Sequence, residues 1–405
     1  MDISTPSASM PVHYTKDGSA IFKLGFKTGL LTFATLGIYR FWQKTRIRKF
    51  IWSSTSAGGD AFEYTGTGLE KFLGFLIAIV FLAVYLGVIQ MVLFYLGLSM
   101  LDQPDPFDPM STVRFLAAFY ISFFAVLPFL LYALYRARRY KMARTRWRGI
   151  RFGMDKGAWG YAFRAIGYGL LTLVTLVTLG ILAPLMSFKL EKYMTDRSHY
   201  GDARFQQGGK WTGLYPALKH VLIGIGLLVL AGICGALDIP ALAIIAGIVG
   251  YIWIFVGFIY YQVRSFAYLT SHKVLAGGIT FDAQPRTGEV IKTYIIGGLA
   301  IGILAGIAFA ILGVVVGGLT AAIGSGASIG SMIGIGLLAI AGYVVVLTLV
   351  QALGLSMITQ PILAHFIETI TIGNPEALNA IRQRESETGV DAEGFADALD
   401  IGGAI

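Results

Sequence analysis

Six stretches of this chain, residues 72–98, 115–135, 221–237, 241–263, 294–323 and 333–357, are apolar almost without interruption. A helix needs about 20 such residues to cross the roughly 30 Å hydrocarbon layer of a bilayer. In lipid the backbone must satisfy its own hydrogen bonds, and a helix does so. Composition points the same way: 56% of the 405 residues are hydrophobic and only 14% are charged, against about a quarter charged in soluble domains. The expected fold class is all-α, a polytopic transmembrane helical bundle of six to eight membrane segments.

The formal charge is +9, and it concentrates in four connections, 43–71, 136–164, 189–219 and 264–292. The second holds ten Lys/Arg against one acid, Asp155; the others hold five against three, six against three and four against two. The remaining connections are poor in cations. LDQPDPFDPMST carries Asp102, Asp105 and Asp108 and no base, Asp238 stands close before Pro240, and GSGASIGS is uncharged. Short Lys/Arg-rich loops stay cytoplasmic, so the four basic connections are expected there and the others outside.

That assignment conflicts with simple counting, because 136–164 and 189–219 are separated by one apolar segment, 165–188. The segment contains GLLTLVTLVTLGILAP, and the first apolar segment, 21–42, contains GLLTFATLGIYRFW. Both have a central Thr-Leu-Gly, and Pro184 interrupts the later one. Two arrangements satisfy the sequence. The expected one has both segments as re-entrant or interfacial elements that return to the side they left, under cover of protein; the alternative has both span, making the halves inverted three-helix repeats.

The basic connections also repeat: SAGGDAFEYTGTGLEKF, RWRGIRFGMDKGAWGYAF, HYGDARFQQGGKWTGLYPAL and LAGGITFDAQPRTGEVIKTY. Each has a glycine shortly before a phenylalanine (Gly59/Phe62, Gly149/Phe152, Gly201/Phe205, Gly278/Phe281), and three have Thr-Gly where the next helix starts. The unit reads as helix, basic aromatic stem, short extended segment with Phe, Gly turn, helix. In the first copy Thr67 and Glu70 form a capping box, and Gly66 and Gly68 permit a sharp turn into the helix. Phe62 and Tyr64 alternate, so one face of an extended segment can lie on protein or headgroups. A phosphate-binding loop needs Gly-x4-Gly-Lys-Ser/Thr; Gly209-Lys210 lacks the upstream glycine and the following hydroxyl.

TLGIYRFWQKTRIRKF followed by GDAFEYTGTGLEKFLGFLIA resembles the YjgN-like family of bacterial inner-membrane proteins, most specifically in Phe62–Gly68, FEYTGTG. The resemblance runs through the glycine-rich last helices to the tail EGFADALDIGGAI. It implies a multi-pass inner-membrane protein of a Gram-negative bacterium and carries over no catalytic or ligand residue.

Residues 1–20 read as a short disordered tail without a cleavable signal, 21–365 as the transmembrane repeat domain, and 366–405 as an acidic cytoplasmic tail. Between residues 368 and 400 eight acids meet two arginines, and the tail is expected to lie on the basic connections. PEALNAIRQRESE within it reads as helical, with Asn374 as its cap.

Candidate chemistry is sparse. Buried charges mark ion paths in membranes, yet the apolar runs hold only uncharged polar groups such as Gln90, Thr172, Thr175, Thr178 and Thr348. Gln351, Gln360 and His365 form the one cluster that could line a polar path; interhelical hydrogen bonding is the plainer use of such residues. The stem residues Arg136, Arg138, Arg139, Lys141, Arg144, Arg146 and Arg148 are candidates for contact with anionic lipid headgroups, and nucleic acid is not an expected partner. Glycines at four-residue spacing (Gly298/Gly302/Gly306, Gly313/Gly317, Gly326/Gly330/Gly334) allow close helix packing within the chain or in a homo-oligomer. Cys234 is the single cysteine, so no disulfide framework exists. Five dispersed histidines have no metal-ligand spacing, no cofactor is expected, and the Gly326–Gly330 match to Gly-x-Ser-x-Gly lacks the strand-to-helix turn of a nucleophile elbow. An enzyme is therefore not expected. Transport or channel-like passage of a small or amphiphilic solute is the expected functional class, and a non-transport membrane scaffold contacting anionic lipids or a partner protein is the alternative.

Overall fold

The structure is a computed structural model that describes residues 9–100, 103–105, 107–174, 182–324 and 328–384. The chain opens with β1 (Ser9–Tyr14), α1 (Gly18–Ala34), α2 (Arg40–Ser53), β2 (Thr55–Ala57) and β3 (Asp60–Tyr64). Next come α3 (Gly68–Tyr95), α4 (Pro109–Ala143), β4 (Thr145–Trp147) and β5 (Ile150–Met154), then α5 (Ala158–Val174), α6 (Ala183–Thr195), β6 (Ser198–Tyr200) and β7 (Ala203–Gln207). The pattern continues with α7 (Tyr215–Ala236), α8 (Pro240–Ser271), β8 (Lys273–Leu275) and β9 (Ile279–Ala283). It closes with α9 (Thr287–Ile323), α10 (Ile329–Gly354), a π-helical turn at Leu355–Thr359, α11 (Gln360–Glu368) and β10 (Ile370–Gly373). The elements fall into two units, one built from Met1–Tyr64 and Gly208–Ala380, the other from Thr65–Gln207 and Ile381–Ile405.

Six described segments are long and apolar enough to cross a membrane: α3, α4, Trp211–Ala236, α8, α9 and Ile329–Glu368. They coincide with the six apolar runs of the sequence. Polar side chains start several of them. Thr67 Oγ1 accepts the Glu70 N–H (3.2 Å) ahead of α3, Asp108 accepts the Met110 N–H (3.0 Å) ahead of α4, and Ser328 accepts the Ser331 N–H (3.2 Å) ahead of α10. Once started, these helices find little protein to pack on. Only Gly68, Lys71, Gly74, Ala78 and Leu93 of α3 are buried, so lipid must solvate most of its surface.

The all-α expectation is wrong. Ten short strands pair in antiparallel fashion among the described residues. In the first unit the order is β3-β2-β1-β10-β9-β8, with Ala57 opposite Asp60, Val12 opposite Ala57, Met10 opposite Ile372 and Ile372 opposite Phe281. In the second it is β4-β5-β6-β7, with Trp147 opposite Ile150, Phe152 opposite Tyr200 and Tyr200 opposite Ala203. Glycines make the turns. β2–β3 bends at Gly58 (φ 59°) and Gly59 (φ 86°), and β4–β5 at Arg148 (φ 50°) and Gly149 (φ 75°). Two residues with positive φ between paired strands form the tight hairpin whose twist suits the flanking strands. The extended Phe segments expected from the repeat are thus second strands of hairpins, with the glycines before each Phe in the hairpin turn and Gly66 and Gly68 after β3 leading into α3. Strands of three to six residues are too short to carry a readable period of two. Ser9–Tyr14, within the stretch read as a disordered tail, is one of them.

Strand pairing also decides between the two membrane arrangements. β1 pairs with β2 across α1–α2, and β5 pairs with β6 across α5–α6. Neighbouring strands lie about 4.8 Å apart, so each of these helix pairs returns to the sheet it left. A single crossing of about 30 Å is excluded for both segments. α1 and α5 have 17 residues each; residues 175–181, including Thr175 and Thr178, lie outside the described residues. The long pairs return as well: the Thr65 N–H donates to Arg144 O across α3–α4 (2.8 Å), and the Gly208 N–H to His272 O across α7–α8 (2.8 Å).

Glycines set the closest helix contacts of the first unit. A Cβ at Gly224 would stand 2.8 Å from the Ile254 nitrogen, and one at Gly257 2.7 Å from the Val221 nitrogen, so α7 and α8 pack backbone to backbone. α1 lies on α10 in the same way, Gly25 against Ala352 and Gly29 against Thr348.

Candidate functional site

The three residues nominated for a polar path are not brought together. Gln351 is exposed on α10, with its Oε1 near Gly29 of α1. Gln360 is 3% exposed, and its Nε2 donates to Tyr14 Oη at 3.5 Å; burial holds the Tyr14 phenol above its usual pKa, against the hydrogen bonds from Gln360 and Ser54. His365 Nε2 accepts the Arg286 N–H at 2.9 Å, which places the ring proton on Nδ1. Each side chain serves a different joint of the first unit.

The FEYTGTG motif builds a strand end and a helix start. Phe62 and Tyr64 turn inward while Ala61 and Glu63 are exposed. Tyr64 Oη accepts from Arg48 at 3.4 Å, and its ring lies 5.6 Å from that of Trp52. Gly66 and Gly68 are buried, and Thr67 caps α3. Glu70 supplies the N–H that Thr67 accepts, but its carboxylate turns to α4, accepting from Tyr140 Oη (2.8 Å) and pairing with Arg144 (3.1 Å).

The cations of the basic stem differ in burial and in the groups they meet. Arg138 makes a two-pronged pair with Glu191 of α6, at 2.6 and 3.0 Å. Arg139 is 5% exposed and donates its Nε–H to Met154 O at 2.7 Å. Lys141 is half-buried, its carbonyl accepting from Thr145. Arg146 stands opposite Arg151 in the β4–β5 ladder, and Arg148 is exposed at the turn, over the Trp147 ring at 4.7 Å. Like charges directly opposite one another cost stability. Arg136 donates to Tyr132 Oη at 3.1 Å on the half-buried flank of α4.

Around Arg136 the second unit forms a cavity of about 360 Å3. Two α4 side chains shape it by fixing the end of β5: Tyr135 donates to Asp155 O (2.6 Å) and Arg139 to Met154 O. That fixes Lys156 and the first turn of α5 over Arg136. A Cβ at Gly157 or Gly160 would press on the Tyr193 hydroxyl, so these glycines leave room for that side chain. Arg136, Arg139 and Lys156 line the cavity together with Gly157–Gly160, and no acid does. The Asp155 carboxylate is engaged instead by Arg204 (3.1 Å) and Arg384 (3.5 Å). The first turn of α5 also lacks acidic residues, so its positive dipole end adds to the cationic field. An anion of phosphate size is the chemistry this arrangement suits.

Sequence reasoning missed Lys156, Tyr132 and Trp159 as parts of this cavity, and it missed the burial of Arg48 and Lys71 (1% and 0% exposed). Lys156-Gly157 directly ahead of an aromatic helix start was the available signal. The expected glycine faces are largely open. A Cβ at Gly298, Gly302, Gly306, Gly313, Gly317 or Gly334 would meet no neighbour within 4 Å, whereas Gly297 and Gly342, outside the chosen rows, pack against Ile358 and Leu312. Gly326 lies outside the described residues. Of the tail, Pro375–Ala380 forms a 3-10 turn after Asn374 (φ 55°). Arg382 exchanges hydrogen bonds with Asp202, and Gln383 accepts the Arg151 N–H at 2.8 Å; the acidic residues beyond 384 lie outside the described residues.

Six membrane-length helices rising from short paired strands define a multi-pass membrane protein. The sequence profile of a family described as a bacterial protein of unknown function, DUF898, matches residues 9–398. The chain belongs to this family, which is the YjgN-like family of the sequence resemblance. No curated protein and no solved structure matches the chain.

Proposed function

We propose that the protein is a non-transport scaffold of the bacterial inner membrane, seated on the anionic cytoplasmic leaflet through the strand-bearing ends of its helices. The carrying observation is the β4–β5 hairpin and the stem before it. Arg146 and Arg151 face each other without an intervening acid in the ladder, Arg148 projects at the turn, and Arg136 borders an acid-free cavity. An anionic surface offsets the repulsion that such a hairpin carries, at about 1 kcal/mol per base near the headgroups. The dispersal of Gln351, Gln360 and His365 counts against a continuous polar path.

Solute passage is the second reading, supported by the π-helical turn at Leu355–Thr359 that interrupts the last membrane segment, since such interruptions favour functional positions. Reconstitution separates the two. The scaffold reading expects thermal stability to rise with the fraction of phosphatidylglycerol in the vesicles and to lose that gain at 1 M salt, where the Debye length is about 3 Å. Stability indifferent to lipid charge, combined with solute flux through the reconstituted protein, overturns it.

A further inference from the structure

We propose that the second unit holds one anionic glycerophospholipid, with its phosphate in the cavity at Arg136, Arg139 and Lys156 and one acyl chain in a groove between α3 and α4. The inference rests on the leaflet-contact reading and narrows it to a single built site.

The groove is a second cavity, of about 320 Å3, walled by Ile77, Ala78 and Phe81 of α3 and by Val126, Phe129 and Leu130 of α4. It exists because of where the two helices are tied. On one side of it Glu70 of α3 meets Tyr140 and Arg144 of α4. On the other, Tyr85 Oη donates to Ala125 O at 3.0 Å and Gln90 Nε2 to Ser122 Oγ at 2.7 Å. Glu70 and Tyr85 stand about 22 Å apart along the helix. The small side chains of Ala78 and Ala133 leave the space open. Phe81, Phe129 and Trp159 form a run of ring contacts at 5.3 and 5.6 Å down to the start of α5.

The two cavities adjoin. They share Tyr132 and Trp159, whose rings are 4.8 Å apart. Tyr and Trp concentrate where hydrocarbon meets headgroups, so the junction sits at the depth where a phospholipid changes from chain to phosphate. On one side of the junction the walls are almost wholly apolar; on the other they present three cations and a helix N-terminus. Both volumes fall within the roughly 300–1,000 Å3 of small-ligand sites. A free anion would fill only the first cavity and a neutral chain only the second. A molecule carrying both parts fills both.

The test is native mass spectrometry of the full chain in detergent, offered equal phosphatidylglycerol and phosphatidylcholine, with inorganic phosphate as competitor. One phosphatidylglycerol is expected to remain bound in preference to phosphatidylcholine. Lys156→Gln and Arg136→Gln should each weaken it about fivefold, the equivalent of one base at the surface. Ile77→Trp, which fills the groove from an exposed position, should also weaken it. Equal retention of the two lipids overturns the proposal, as does retention that neither Lys156→Gln nor Ile77→Trp changes. Displacement by inorganic phosphate, with no effect of Ile77→Trp, reduces the site to an anion pocket and equally overturns it. If phosphatidylglycerol stabilises every variant alike, the leaflet-contact reading stands and this site falls; if lipid charge changes nothing, both fall.

Discussion

Glycine does two opposite jobs along this chain, and the structure separates them residue by residue. Gly257 lets α8 touch the backbone of α7, so a Cβ there, 2.7 Å from the Val221 nitrogen, forces the helices apart. Gly257→Ala should lower stability by about 1–3 kcal/mol, the usual cost of overpacking. Gly302→Ala meets nothing within 4 Å and should stabilise by about 0.5–1 kcal/mol through helix propensity. Thermal unfolding in one detergent compares the pair directly. Glu70 shows a similar division. Its N–H serves the cap of α3 while its carboxylate faces Arg144, whose side chain is 16% exposed. Glu70→Gln preserves the cap and an acceptor for Tyr140 but removes the negative charge that faces Arg144. The expected loss is about 1–3 kcal/mol, read as a fall in the unfolding midpoint; an unchanged midpoint would remove Glu70 from the α3–α4 joint.

At the scale of elements, the hairpins are held by few residues and depend on their turns. Gly149 has φ 75° and open space around it, so replacing it tests backbone conformation without a packing term. Gly149→Ala is expected to cost about 1–2 kcal/mol, the penalty of a left-handed conformation, and to raise amide exchange in β4 and β5 before it does so in α4. The sequence showed these glycines and the alternation of Phe62 with Tyr64. It did not show the ladder, because the partners lie far apart along the chain: Val12 meets Ala57, and Met10 meets Ile372. The helices were legible for the opposite reason. A helix closes its bonds within itself, so a long apolar run and a capping Thr67 suffice to predict it. The cationic cavity was half legible: Arg136 and Arg139 stood in the basic stem, but Lys156 joins them only through the fold of β5.

For the whole molecule, the pairing of strands at the foot of each helix pair fixes sidedness. Reporters placed at Gly149 and Gly201 should read the same side of the membrane, because β5 and β6 are neighbours in one sheet. A reporter at residues 103–105, between α3 and α4, should read the opposite side. Opposite readings at Gly149 and Gly201 would mean that the α5–α6 segment crosses once and that the β5–β6 ladder does not exist in the membrane.

Sequence alone determined that lipid is the solvent for this chain and where its six long helices run, since both follow from hydrophobicity summed over neighbouring residues. It left open whether 21–42 and 165–188 cross or return, and it showed the extended Phe segments without the strands they pair with. Tertiary structure decided both with the same few hydrogen bonds. A bond between residues 45 positions apart, as between Val12 and Ala57, leaves no local pattern to read, yet once formed it forbids the chain between them from ending on the far side of a bilayer.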